Sequence, residues 1–249
     1  MTLFRNIVFA AALAGLIAGV FVTVVHEIGT VPIILKAEVY EKAAESTGAA
    51  TTATDVATAE HQHEGEAWEP EDGFQRTAFT ALADVLTGIA FGLLLTAAYA
   101  LRGRAMDWRQ GLFWGLAGFA TFTLAPGLGL PPELPGTESA PLLDRQIWWV
   151  ATAVATAGGL ALIVFTRNVA LTVLGVGLIV LPHVYGAPQP GEHKMLAPEN
   201  LAHSFAVAAV VTSFLFWLVL GSLTGVFYRW LAGASQGLLA DQGGLDQHA

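Results

Sequence analysis

The sequence predicts an all-α polytopic membrane protein: a transmembrane helix bundle of about six spans with one long acidic, histidine-containing outer loop. Three observations carry this expectation. Of 249 residues, 54% are hydrophobic and only 12% charged, against roughly 25% charged in a soluble domain. Mean hydropathy is +0.58. The apolar residues also fall into runs close to the ~20 residues that cross the hydrocarbon of a bilayer, and short polar connections between the runs hold most of the remaining charge.

The first run, residues 7–28, follows a single base, Arg5. It is longer than the ~7–15-residue apolar core of a signal peptide, so 1–35 is expected to be a retained first span. Residues 36–76 are expected to be an extracytoplasmic acidic loop. Between 36 and 73 the chain carries ten carboxylates and two lysines. Residues 46–58 within it are almost entirely Ala, Thr, Gly and Ser, a composition that predicts a mobile aqueous segment. Further runs at 77–101, 110–130, 147–165, 169–184 and 201–228 predict a five-span bundle over 77–230 and a cytoplasmic tail at 231–249. The run at 169–184 is short, and Pro182 must kink or end it. No internal repeat of the kind that builds many transporters is visible.

Orientation follows from the bases in short loops. Arg102, Arg104 and Arg109 fill the connection after the second span, and Arg167 sits in the tight turn after the fourth. Arg5 precedes the first span and Arg229 follows the last. All fall on one side, which the positive-inside rule makes cytoplasmic, with both termini there and the chain multi-pass in the cell membrane. Trp148, Trp149 and Tyr185 then lie near the outer interface, and Trp108, Trp114, Tyr228 and Trp230 near the inner one, as aromatic belts do. A net charge of −9 argues against a nucleic-acid partner and leaves membrane lipid as the surroundings.

There are no cysteines, so any metal must be held by His, Asp, Glu or carbonyl oxygen. The segment Glu60-His61-Gln62-His63-Glu64-Gly65-Glu66 places two imidazoles and three carboxylates within seven residues. That is the donor set favoured by borderline ions such as Co²⁺, Ni²⁺ and Zn²⁺. Ordering a flexible loop costs entropy, so binding there should be weak and fast-exchanging; the plainer reading is a solvated acidic loop. His26, Glu27, Glu38 and Glu41 follow on the same side, as do His183, His193 and His203. Asp84 is the only carboxylate well inside a predicted span. An intramembrane acid is expected to face the bundle interior and to mark function, with a structural pairing to Thr80, Thr87 or Arg145 as the alternative. Prolines at 126, 131, 132 and 135 predict irregular backbone at the end of the third span. No esterase elbow, zinc-protease helix or phosphate loop is present, so no catalytic residues and no enzyme activity are expected. The glycine pairs Gly15/Gly19, Gly88/Gly92, Gly111/Gly115 and Gly221/Gly225 have the spacing of helix-packing motifs.

Six segments carry a resemblance: PIILKAEVYE (32–41), WEPEDGFQRTAFT (68–80), LAPGLGLPPELPG (124–136), RQIWW (145–149), PHVYGAPQP (182–190) and FWLVLGSLTGVFYRW (216–230). On these the chain resembles CbtA, a family of predicted cobalt transporter subunits in bacteria and archaea. The resemblance implies a membrane subunit of five to six spans that brings in cobalt for corrinoid synthesis, beside a small single-span, histidine-rich CbtB-like partner. Glu38, Glu41, His61, His63, Glu69, Asp72, Arg76, Arg145 and His183 match the family's pattern; His26, Asp84, His193 and His203 do not. The expectation is therefore a membrane component of a divalent transition-metal uptake system, with Co²⁺ (or Ni²⁺, which suits the same ligands) as transported ion and no tightly bound cofactor. The alternative is a non-transporting membrane scaffold or metal-capturing accessory protein. Expected ligands are His61, His63, Glu60, Glu64 and His183, with Glu38, Glu41 and Asp84 as further candidates. The segments 126–136 and 182–190 are expected to line a vestibule whose inner ligand is His183.

Overall fold

Helix boundaries in this chain are set by proline, glycine and short polar caps. The computed structural model describes residues 2–52, 70–103, 106–191 and 194–245, and among these every regular element is a helix. Helix α1 (Thr2–Gly29) runs into α2 (Val31–Thr52) across Thr30, where Pro32 cannot donate a helical hydrogen bond. Helix α3 (Phe74–Arg102) ends at Gly103, whose left-handed φ of 62° lets its N–H return to the carbonyls of Tyr99 and Ala100. Asp107 caps α4 (Trp108–Phe119) by accepting from Gln110 N at 2.8 Å. A π-helical segment (Ala120–Leu124) and α5 (Ala125–Gly129) complete that span, followed by α6 (Leu142–Phe165), α7 (Val169–Tyr185) and α8 (Glu199–Leu245).

Five stretches are long and apolar enough to cross a membrane: α1, α3, α4 through α5, α6 and the first 35 residues of α8. Helix α7 has 17 residues, about 25 Å at 1.5 Å per residue. It nevertheless runs back along α6, because its Pro182 carbonyl accepts from Trp148 Nε1 at 3.2 Å near the start of that helix. Among the described residues the bundle thus has five helices of membrane-crossing length, with the shorter α7 returning beside α6. Large apolar side chains such as Val173, Leu174, Val154 and Leu94 stand exposed, as expected of a surface that faces lipid.

Between helices in lipid the driving force is close van der Waals packing at small residues, and the glycine pairs supply it. Gly15 and Gly19 of α1 lie against the α3 backbone at Gly88–Ile89 and Asp84–Val85. Gly111 and Gly115 of α4 meet Gly221 and Gly225 of α8, while Gly159 and Gly175 join α6 to α7. Around these contacts Ala14, Ala18, Leu95, Tyr99, Phe119, Trp217 and Leu220 form the buried core. Tyr99 Oη and Thr224 Oγ1 satisfy each other at 3.0 Å, and Phe122 stacks on Trp217 with ring centroids 5.8 Å apart.

Two expectations are corrected here. The third span ends where expected, but irregular backbone does not begin at Pro126. The preceding turn widens to π geometry, with Ala125 N bonded to Ala120 O, and the helix continues to Gly129 before the remaining prolines end it. The region expected as a mobile loop from residue 36 is helical through Thr52. Ile33, Ile34 and Ala37 recur at helical spacing and dock against Leu134, Ala197 and Leu201, and alanine-rich sequence favours helix once it is anchored. Residues 231–245 of the tail continue α8.

Candidate functional site at the acidic end of the bundle

The antiparallel packing gathers the described arginines 5, 102, 109, 167 and 229 at one end, with Arg102 over the Phe165 ring at 5.0 Å. The opposite end holds the end of α1, all of α2, the starts of α3 and α8, and the connecting residues 130–141, 186–191 and 194–198. There the close approach at Gly19 brings α3 onto α1 at Asp84. Thr23 and His26 lie four and seven positions beyond Gly19, on the same helical face. Thr23 Oγ1 donates to Asp84 Oδ2 at 2.9 Å, and His26 Nδ1 lies 3.1 Å from the same oxygen. The His26 and Asp84 side chains are 30% and 16% exposed. Nearer the helix ends, Thr77 Oγ1 donates to Glu27 Oε1 at 2.9 Å, and Arg76 pairs with Glu38 of α2 and, at 2.9 Å, with Asp72. A polar ladder thus runs from the helix mouths down the α1–α3 seam to Asp84.

Beside it, the two proline-rich connections are clasped together. Thr137 and Met195 form a short antiparallel bridge, with Glu138 N donating to Lys194 O at 3.0 Å. A Cβ at Gly129 would fall 2.3 Å from the Trp148 ring and 2.9 Å from Ala187, so both connections press on the start of α6. Between them is a cavity of about 310 Å³ lined by Glu133, Glu138, Arg145, Lys194, Glu199 and His203 among others. Glu133 is held by Arg145 at 3.3 Å and by the Ser139 hydroxyl. The Thr137 hydroxyl is buried in the wall with no hydrogen-bond partner.

The sequence-predicted site residues are distributed as follows. Glu60, His61, His63, Glu64 and Glu69 lie outside the described residues, as does His193. Glu38 is engaged by Arg76, and Glu41 is half-buried on α2. The segments 126–136 and 182–190 do lie together, but the cavity between them is lined by His203, and His183 is not among its lining residues. His183 instead packs edge-on against Trp148 at 5.8 Å, with its Nε2 buried and unbonded. Asp84 finds Thr23 and His26 rather than Thr80, Thr87 or Arg145; Arg145 is taken by Glu133. The sequence held part of that signal: on each helix the polar residue sits one or two turns from a packing glycine, Gly19 on α1 and Gly88 on α3, though nothing in it says that these two helices meet. Among the described residues no three His, Asp or Glu side chains converge as a ready-made metal site.

Taken together, the five membrane-length helices, the shorter α7 and a polar seam opening at one end define a multi-pass α-helical membrane protein with an accessible polar mouth. A family model described as "Probable cobalt transporter subunit (CbtA)" matches residues 4–229, nearly the whole chain, and the chain belongs to that family. It is therefore one subunit of a transport system, which implies partner proteins. No curated protein and no solved structure matches it.

Proposed function

We propose that the protein is the membrane subunit of an uptake system for a divalent transition metal, Co²⁺ in particular, working beside a small single-span, histidine-rich CbtB-like partner. The observation that carries this is the cavity at the acidic end. Irregular backbone at the end of a span persists only where it is packed in protein or lines a polar space, and here it lines a space rimmed by carboxylates and His203. In this reading the acidic end faces outward. His61 and His63, with Glu60 and Glu64, collect the ion from solution and raise its concentration over that mouth.

The rival reading, a scaffold or accessory that captures metal for a partner, draws on the lack of three converging ligands among the described residues. Uptake of labelled cobalt separates the two. Vesicles containing this chain and its small partner should accumulate cobalt above empty vesicles. Removing residues 46–66 should raise the half-saturating concentration roughly tenfold, by loss of local capture, without abolishing uptake. Vesicles that bind cobalt yet never accumulate it would leave the accessory reading in place.

A further inference from the structure

We propose that Asp84, His26 and Thr23 form a binding site for a divalent transition-metal ion within the membrane-spanning region. Its place as a second station for the ion, below the capture loop, rests on the uptake reading above; the site itself stands on its geometry.

The first argument is distance. An ion with bonds of about 2.1 Å, the length typical of metal–imidazole and metal–carboxylate contacts, holds neighbouring ligands about 3.0 Å apart in octahedral and about 3.4 Å apart in tetrahedral coordination. Thr23 Oγ1 and His26 Nδ1 stand 2.9 and 3.1 Å from Asp84 Oδ2. Those are ordinary hydrogen-bond lengths, and they also match octahedral edges, so the contacts that gather the three groups before any ion arrives leave them at ligand spacing. A carboxylate oxygen, an imidazole nitrogen and a hydroxyl oxygen are a donor set that borderline divalent metals accept.

Charge is the second argument. An ionised carboxylate within a span is costly unless its charge is compensated, and the base that lies against Asp84 is His26, which offsets the charge only when it is protonated. Arg76 pairs with Glu38 and Asp72, and Arg145 with Glu133. The neighbouring Glu27 adds a second carboxylate to the seam, bonded to Thr77. A divalent cation bound between Asp84 and neutral His26 supplies that compensation in place of a proton on the imidazole.

Ligation needs the Nδ1 lone pair. Neutral imidazole provides it when its single proton sits on Nε2. With three protein donors, one of them a hydroxyl, and water completing the shell, the ion is held loosely. That suits a site through which ions must pass, where binding has to be weak enough to release.

The test uses the full chain without a histidine tag, in lipid nanodiscs, carrying His61→Ala and His63→Ala to silence the loop. Titration with Co²⁺ is followed by bound-metal analysis and by the visible absorption of the ion. One Co²⁺ with a nitrogen ligand is expected. Asp84→Asn and His26→Gln, which keep hydrogen-bonding groups on the seam, should each weaken binding about tenfold or more, while circular dichroism and gel-filtration profiles stay unchanged. Thr23→Val should weaken it less. Binding that is absent in the loop-silenced protein, or unaltered by both Asp84→Asn and His26→Gln, overturns the site. The uptake reading is judged separately: vesicles that accumulate cobalt while the site fails sink only this proposal, and a working site without accumulation sinks only the uptake reading.

Discussion

Thr23 and His26 stand 61 and 58 positions before Asp84 in the chain, yet a single carboxylate oxygen joins them. What makes the contact is a missing side chain: any Cβ at Gly19 would meet the α3 backbone at Val85 at 2.5 Å. Other ionisable residues at this end have plainer duties. Arg76 ties α3 to α2 through Glu38, and Arg145 holds the proline-rich connection through Glu133. For the loop histidines the prediction is chemical. A peptide covering residues 53–69 should bind Co²⁺ or Ni²⁺ reversibly, with His61 and His63 as principal ligands. Because ligation requires neutral imidazole and the unperturbed pKa is about 6.5, binding should fade as pH falls below about 6. Calorimetric titration at pH 7.5 and pH 5.5 checks this. Equal heats at both, or no change in the His61→Ala/His63→Ala peptide, would count against it.

At the scale of elements, the bundle is assembled from pairs: α1 with α3, α4 with α8, and α6 with α7, each closed at glycine. Since lipid offers apolar side chains as good an environment as the protein interior, stability rests on how closely the backbones approach. Gly221→Val should therefore be destabilising, because its Cβ would fall 2.5 Å from the Gly111 carbonyl oxygen. Overpacking of this kind costs about 1–3 kcal/mol. Gly177→Ala is the control, since a Cβ there meets open space. Thermal unfolding in detergent should show a lowered midpoint for the first and little change for the second. Equal midpoints would remove α4–α8 closure as a source of stability. Helix α2 makes the complementary point: its mean composition is too polar to demand burial, yet Ala37 is 1% exposed because Leu134 and Ala197 meet it.

For the whole molecule, the asymmetry between ends is the functional statement. Arg5, Arg102, Arg109, Arg167 and Arg229 share one end, and the carboxylate-rich cavity and seam, with Arg76 and Arg145 paired to carboxylates, share the other. If the positive-inside rule holds, the Gln189→Cys variant should react with an impermeant maleimide added outside intact cells, and Arg167→Cys only after permeabilisation. The chain has no cysteines of its own, so each variant reports a single position. Labelling in the opposite order would reverse the topology and with it the direction assigned to transport.

The class of protein and its spans were readable from the residues alone, because hydropathy over some twenty residues is a local property that lipid enforces whatever the neighbouring helices do. The packing faces were readable too, since glycine at four-residue spacing marks a close approach without saying to what. Which helices pair was settled only in three dimensions: nothing in Gly111-x₃-Gly115 names Gly221 and Gly225 as its counterparts. The same holds for the site. Asp84 was legible as an unusual acid, but its partners depended on the register of α1 against α3. His203 reached the cavity and His183 did not because the clasp between the two proline-rich connections fixes where each side chain points. The segment with His61 and His63 stands as a candidate ligand set on composition and lies outside the described residues, whereas the α1–α3 seam exists only once two distant helices are brought together.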